Sequence, residues 1–181
     1  VSLVDITARK KAEAYLEYLG KHDVLTQLCN RTYYTEELNR LSRKGPWPVS
    51  IVAIDLNGLK QVNDLEGHAA GDSLLRRMGE VLDKAVDLPA WPARIGGDEF
   101  AVLLPMTDER GAEAMRERIL TLLEMNNQFH AGQSGHALSL AIGLATCHGD
   151  EPLEAALQRA DRAMYEDKSR YYESTEADRR R

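Results

Sequence analysis

The sequence predicts an α+β domain: a ferredoxin-like βαββαβ core with an antiparallel central sheet, helices packed around it and an N-terminal linker helix. Three observations predict it. Four short apolar runs read as strands. Amphipathic segments of helical period lie between them. Two adjacent glycines, Gly96 and Gly97, split the middle two runs into a hairpin.

Each element has its own signal. In "ARKKAEAYLEYLGKHD", Ala12, Tyr15, Leu16 and Leu19 recur at helical spacing, and Gly20 is a natural stop. "NRTYYTEELNRLSRKG" reads as a second helix, with Asn30 as its cap and Gly45 as its end. "PVSIVAIDL" is apolar and β-branched, hence a buried strand. "AGDSLLRRMGEVLDKAV" carries Leu74, Leu75, Met78, Val81 and Leu82 on one helical stripe. "WPARI" and "EFAVLLP" form the hairpin strands. A helix in "DERGAEAMRERILTLLEMN", a strand in "HALSLAIGLAT" and a long helix in "EPLEAALQRADRAMYEDKSR" complete the chain, with Pro152 near the start of the last. After two leading helices the order is β-α-β-β-α-β-α, a split β-α-β pattern. Right-handed crossovers then put the connecting helices on one face of the sheet.

Composition bounds the function. The chain has 181 residues, 43% hydrophobic and 29% charged, enough apolar material for one domain of ordinary size. A net charge of −6 argues against a general nucleic-acid binder, although bound metal can reverse the local sign for a nucleotide. No apolar run approaches the length of a membrane span, and "VSLVDITARKK" lacks a secretory signal's apolar core, so the expectation is a cytoplasmic domain. Cys29 and Cys147 lie far apart and read as two reduced thiols. The five histidines show no zinc-ligand spacing.

The acids carry the chemistry. Asp55 emerges at the end of "SIVAID", and Asp98 and Glu99 lie at the hairpin tip. In a split β-α-β sheet these two segments are central neighbours, so Asp55 and Asp98 approach each other. Adjacent carboxylates repel unless a cation lies between them. Oxygen-only ligands favour a hard ion, Mg²⁺ first, and such an ion commonly also binds substrate phosphates. Gly96 and Gly97 permit positive φ in a tight turn and leave no side chain in a ligand's way; an ordinary hairpin tip would use them as well. "DLNGLKQVNDLEGHAAGD" places polar residues, glycines and Lys60 between a strand and a helix. Lys60 is long enough to reach a phosphate. Asn63 and Asp72 offer the amide and carboxylate that read a guanine edge. Asp72 reads equally as a helix cap, and Lys168 as a solvated helix lysine.

These segments together resemble the GGDEF-domain diguanylate cyclases. "RIGGDEF" is similar to the family signature, "HDVLTQLCNR" to its opening motif, and "DLNGLKQVND" with "GHAAGD" to its metal- and guanine-binding segment. "LSLAIGLA" and "ADRAMYEDK" resemble its last strand and helix, so the likeness covers most of positions 22 to 168. The resemblance implies a palm-type cyclase fold. It also implies condensation of two GTP into cyclic di-GMP and two pyrophosphates, by attack of each 3′-hydroxyl on the opposite α-phosphate across a homodimer. Asp55, Asp98, Glu99 and the Leu56 carbonyl would hold two Mg²⁺, or Mn²⁺, per GTP. Asp98, Glu99 and Lys60 would be catalytic. Asn63, Asp72, Gly96, Gly97 and Lys168 would bind substrate.

Departures from the family pattern are also present. Asn57 stands where many relatives have a second Asp, and Leu59 where many have Phe. Asp87 and Ala90 occupy the ends of the usual product-inhibition motif, so feedback through it is not expected. Tyr172 replaces an arginine that often follows the last lysine, with Arg170 nearby as a substitute. "VSLVDITARKKAEAYLEYL" resembles the last strand of a PAS sensor domain and its linker helix. The implied organisation is 1–21 as that end and linker, 22–171 as the cyclase domain and 172–181 as a polar, frayed tail. The parent would carry an upstream sensory domain and is open to membrane attachment, while this segment contacts neither membrane nor nucleic acid. A catalytically inactive GTP- or cyclic-di-GMP-binding module is the alternative, but such relatives usually lose a signature residue, and Asp55, Gly96, Gly97, Asp98 and Glu99 are all present. An ATP-using cyclase fits Asp72 poorly, because adenine presents a donor and an acceptor there.

Overall fold

The structure is a computed structural model, and it describes residues 2–132 and 135–180. Its elements are α1 (Leu3–Lys21), α2 (Arg31–Lys44), β1 (Val49–Leu56), α3 (Leu59–Glu66), α4 (His68–Ala85), β2 (Trp91–Arg94), β3 (Glu99–Leu104), α5 (Glu109–His130), β4 (Leu140–Cys147) and α6 (Leu153–Arg179). The sheet order is β2-β3-β1-β4, and every neighbouring pair is antiparallel. Two steps of antiparallel pairing make β1 parallel to β2, and β3 parallel to β4, as the split β-α-β pattern requires.

Side-chain alternation along β1 divides the core. Val52, Ile54 and Leu56 face Leu74, Met78 and Leu82 of α4 and Ile119 of α5. Val49, Ile51 and Ala53 face Leu41 of α2 and Leu153, Ala156 and Ala160 of α6. The expectation of helices on one face thus holds for the crossovers α4 and α5, and a second helical layer covers the other face. Every residue of β1 is buried, as a strand covered on both sides must be.

The predicted caps of α2 are present: the Asn30 side chain accepts from the Tyr33 N–H, and Gly45 ends the helix. Three expectations differ from the structure. The stretch between Asp55 and Asp72 contains α3, an eight-residue helix between Gly58 and Gly67. So short a helix has little stability of its own and rests on Val62, its one buried residue. The residues read as a strand fragment, from Leu3 onward, are helical, and Ser2 caps them. The tail read as frayed continues α6 to Arg179, since nothing after Lys168 breaks a helix and the Thr175 hydroxyl donates to the Tyr171 carbonyl.

Candidate active site

Strand parity decides where Asp55 points. It follows Val49, Ile51 and Ala53 on the α6 side of the sheet and lies opposite Glu99 in register. The Leu56 N–H donates to the Asp98 carbonyl at 2.9 Å, which ties the hairpin tip to the end of β1. One carboxylate oxygen each from Asp55, Asp98 and Glu99 lie within 4.8 Å of one another. The Leu56 side chain is in the core, so it meets the site through its backbone alone.

Lys168 of α6 closes the group. Its Nζ is 2.9 Å from Asp55 Oδ1 and 3.9 Å from Asp98 Oδ2. The shorter contact is an ion pair without hydrogen-bond alignment, so Oδ1 stays a buried acceptor with no hydrogen bond among the described residues. Burial pushes the Asp55 carboxyl up to about 6; the neighbouring Asp98 charge adds to the rise, and Lys168 opposes it. A carboxylate this costly to ionise, already drawing in an ammonium, fits a cation site. The donor set is oxygen only, which suits a hard divalent ion.

Two features set the position of Lys168. At Gly143 a Cβ would collide with the Ala160 carbonyl and the Met164 N–H, so only glycine lets β4 and α6 pack this closely. Asp167 then accepts from the Ile142 N–H at 2.9 Å, which fixes the register of α6 on the sheet. Lys168 is the next residue.

The hairpin tip departs from expectation. Neither Gly96 nor Gly97 has a positive φ, because the loop from Ile95 to Asp98 is long enough to turn without it. The two glycines differ in their surroundings: among the described residues a Cβ on Gly97 would meet nothing within 4 Å, whereas one on Gly96 would crowd the Glu99 side chain at 3.3 Å. The turn is held by Arg94, which donates to the Gly97 carbonyl at 2.9 Å and to both oxygens of Asp23 at 3.2 Å. Asp23 in turn accepts from the Thr26 N–H and hydroxyl. Burial opposes ionisation of Asp23, but the Thr26 hydrogen bonds and the Arg94 charge hold it below the ordinary carboxylate range. Asp23 lies in "HDVLTQLCNR" and Arg94 in "RIGGDEF", and nothing local in either motif marks the pair.

Asn63 and Asp72 are brought to one place by α3 and α4. A Cβ on Gly71 would collide with Asn63 Oδ1, so the Asn63 side chain lies directly against the residue before Asp72. Asn63 Oδ1 is buried and unpartnered among the described residues. Asp72 is inside α4, whose N-cap is Gly67, so the capping alternative fails. Lys60 is exposed in the first turn of α3. Asn57 is buried, and its amide donates to the Ser139 hydroxyl at 3.0 Å. Arg170 pairs with Asp167 at 3.3 Å and is 71% exposed.

Residues 20–173 match the family described as diguanylate cyclase, GGDEF domain. The chain belongs to that family. It is 36% identical over 147 residues to diguanylate cyclase DosC of Escherichia coli, covering 79% of this chain and 32% of DosC. It is 34% identical over 162 residues to cyclic di-GMP phosphodiesterase PdeR of the same organism, covering 89% of this chain and 24% of PdeR. The GGDEF domain of DgcB from Caulobacter crescentus, solved in complex with c-di-GMP, superposes with a TM-score of 0.74 at 26% identity, covering 82% of this chain and 90% of that one. This GGDEF chain therefore spans a third or less of these curated relatives' length and shares the palm-type fold of its solved neighbours. Among the described residues no helix is long and apolar enough to cross a membrane.

Proposed function

We propose that this GGDEF chain is a diguanylate cyclase that condenses two GTP into cyclic di-GMP and two pyrophosphates. The observation that carries the reading is the convergence of Asp55, Asp98, Glu99 and Lys168 at the end of β1. Asn63 and Asp72 would hold the guanine edge, the carboxylate accepting from N1 and N2. The open turn at Gly96 and Gly97 would admit the nucleotide, and Lys60 and Lys168 would draw on its phosphates. Two divalent ions per GTP, magnesium or manganese, held by Asp55, the Leu56 carbonyl, Asp98 and Glu99, would neutralise phosphate charge and acidify the attacking 3′-hydroxyl. The hydroxyl oxygen bonds to the α-phosphorus of the opposite GTP as its bond to pyrophosphate breaks. Asp98 or Glu99 assists departure of the hydroxyl proton.

Each site presents one nucleotide, so two chains must meet, and α1 supports that. None of its residues is buried, and Tyr15 and Leu16 are 60% and 66% exposed, while its C-terminal end meets the domain through Asn30, which donates to the Leu19 and Lys21 carbonyls. We assign residues 1–21 to a linker that continues from an upstream sensory domain and residues 22–171 to the catalytic unit, in the cytoplasm.

The test is incubation with GTP and Mg²⁺ at several protein concentrations, followed by nucleotide chromatography. Pyrophosphate and cyclic di-GMP are expected. Bound but unconverted GTP would favour a regulatory module.

A further inference from the structure

We infer that Tyr171 is a substrate-binding residue for the terminal phosphates of the nucleoside triphosphate. The inference rests on the cyclase reading of the site and adds a residue to it.

The β1–α3 connection sets the stage. Gly58 has φ +76 and begins α3 without a side-chain cap, so backbone N–H groups at that helix start have no capping partner. The connection lies between the Asp55 carboxylate and the Asn63–Asp72 pair in the chain. A nucleotide with its base on Asn63 and Asp72 and its α-phosphate near Asp98 has its outer phosphates left to place. The N–H groups of this connection and the two lysines are the donors on hand.

Tyr171 reaches that connection from α6. Its hydroxyl lies 3.8 Å from the position a Cβ on Gly58 would take, and among the described residues no other group beyond the chain neighbours comes within 4 Å of that point. The phenol thus overhangs a turn that has no side chain of its own. Tyr171 is one helical turn beyond Lys168 and shares its face of α6. The neighbouring side chains are otherwise engaged. Tyr172 lies edge-on to Tyr171 at 5.4 Å and sits 5.9 Å from the Lys168 ammonium, while Arg170 is turned away on Asp167. A phenol can donate one hydrogen bond to a phosphate oxygen, and of the two tyrosines it is the Tyr171 hydroxyl that lies beside Gly58.

The experiment compares equilibrium binding of GTP and of GMP, with Mg²⁺, to the wild-type chain, Tyr171→Phe and Tyr172→Phe. GMP lacks the outer phosphates. Tyr171→Phe is expected to weaken GTP binding about tenfold and leave GMP binding unchanged, since a hydrogen bond to a charged acceptor is lost. Tyr172→Phe is expected to alter neither. Equal weakening of both nucleotides, or unaltered GTP binding, overturns the inference while leaving the cyclase reading intact. A wild-type chain that binds no GTP overturns both.

Discussion

At the residue scale the site is a balance of charge against burial. Asp55 ionises reluctantly, because the sheet and α6 exclude water from it and Asp98 repels its charge. Asp98 is more exposed and sits at the tip of a loop. Asp98→Ala is therefore expected to lower GTP turnover by about 10³-fold or more while shifting unfolding free energy by less than about 1 kcal/mol. Paired chromatographic assays and urea melts would check both halves, and full activity in the variant would remove Asp98 from the site. Asp23 tests the support behind it. Its carboxyl is held below the ordinary range, so its folded form favours the charged state. The stability this lends is complete above the unfolded value near 3.8 and is lost as pH falls through the lower folded value. Asp23→Asn should lower Tm at pH 7 by about 2–4 °C, on the order of 1 kcal/mol, and the gap should close below about pH 4. A constant gap across that window would deny the Asp23–Arg94 pair its role.

At the element scale, what the sequence reveals depends on range. Asp55 and Asp98 were legible as neighbours because the split β-α-β order forces β1 beside β3, whatever the loops do. α2 was legible to the residue because its caps are local. The Asp23–Arg94 pair was not, since 71 positions separate the partners and nothing local marks the contact. The same holds for Arg77, a buried arginine that donates to Asn126, Asn127 and the His136 carbonyl and so clasps the end of α5 to the approach to β4. α3 was missed because it is only eight residues long and glycine-flanked, too short a window for the helical spacing of Leu59, Val62 and Leu65 to stand out. The second helical layer did leave a trace: β1 carries apolar residues on both faces, Val49, Ile51 and Ala53 on one and Val52, Ile54 and Leu56 on the other, instead of alternating. Gly143 shows how an element sets the chemistry. Gly143→Ala must push α6 away from β4 against two backbone groups, at a cost of about 2–3 kcal/mol. Because Lys168 rides on α6, activity should fall along with stability. An alanine variant as stable as wild type in urea would contradict the close-packing argument.

At the scale of the whole molecule, one chain is half of the proposed machine. In the proposed reaction a single site would align one GTP, and the acceptor phosphate would come from a second chain carrying its own. Encounter of two loaded chains is then part of the rate law. Well below the dimer dissociation constant, doubling the protein should quadruple total product formation, and well above it the dependence should become linear. α1 is the element proposed to set that constant, since it exposes Tyr15 and Leu16 and buries no residue. Leu16→Asp puts a charge into any seam that two such helices form, without touching the carboxylates or the nucleotide-reading residues. The concentration of half-maximal specific activity should rise at least about tenfold, with the plateau unchanged, because burial of one leucine side chain is worth about 1.5–3 kcal/mol and a symmetric pair counts it twice. Specific activity that stays constant from nanomolar protein upward would show one chain to be sufficient. A shift absent in Leu16→Asp but present in variants of the domain surface would move the dimer contact off α1.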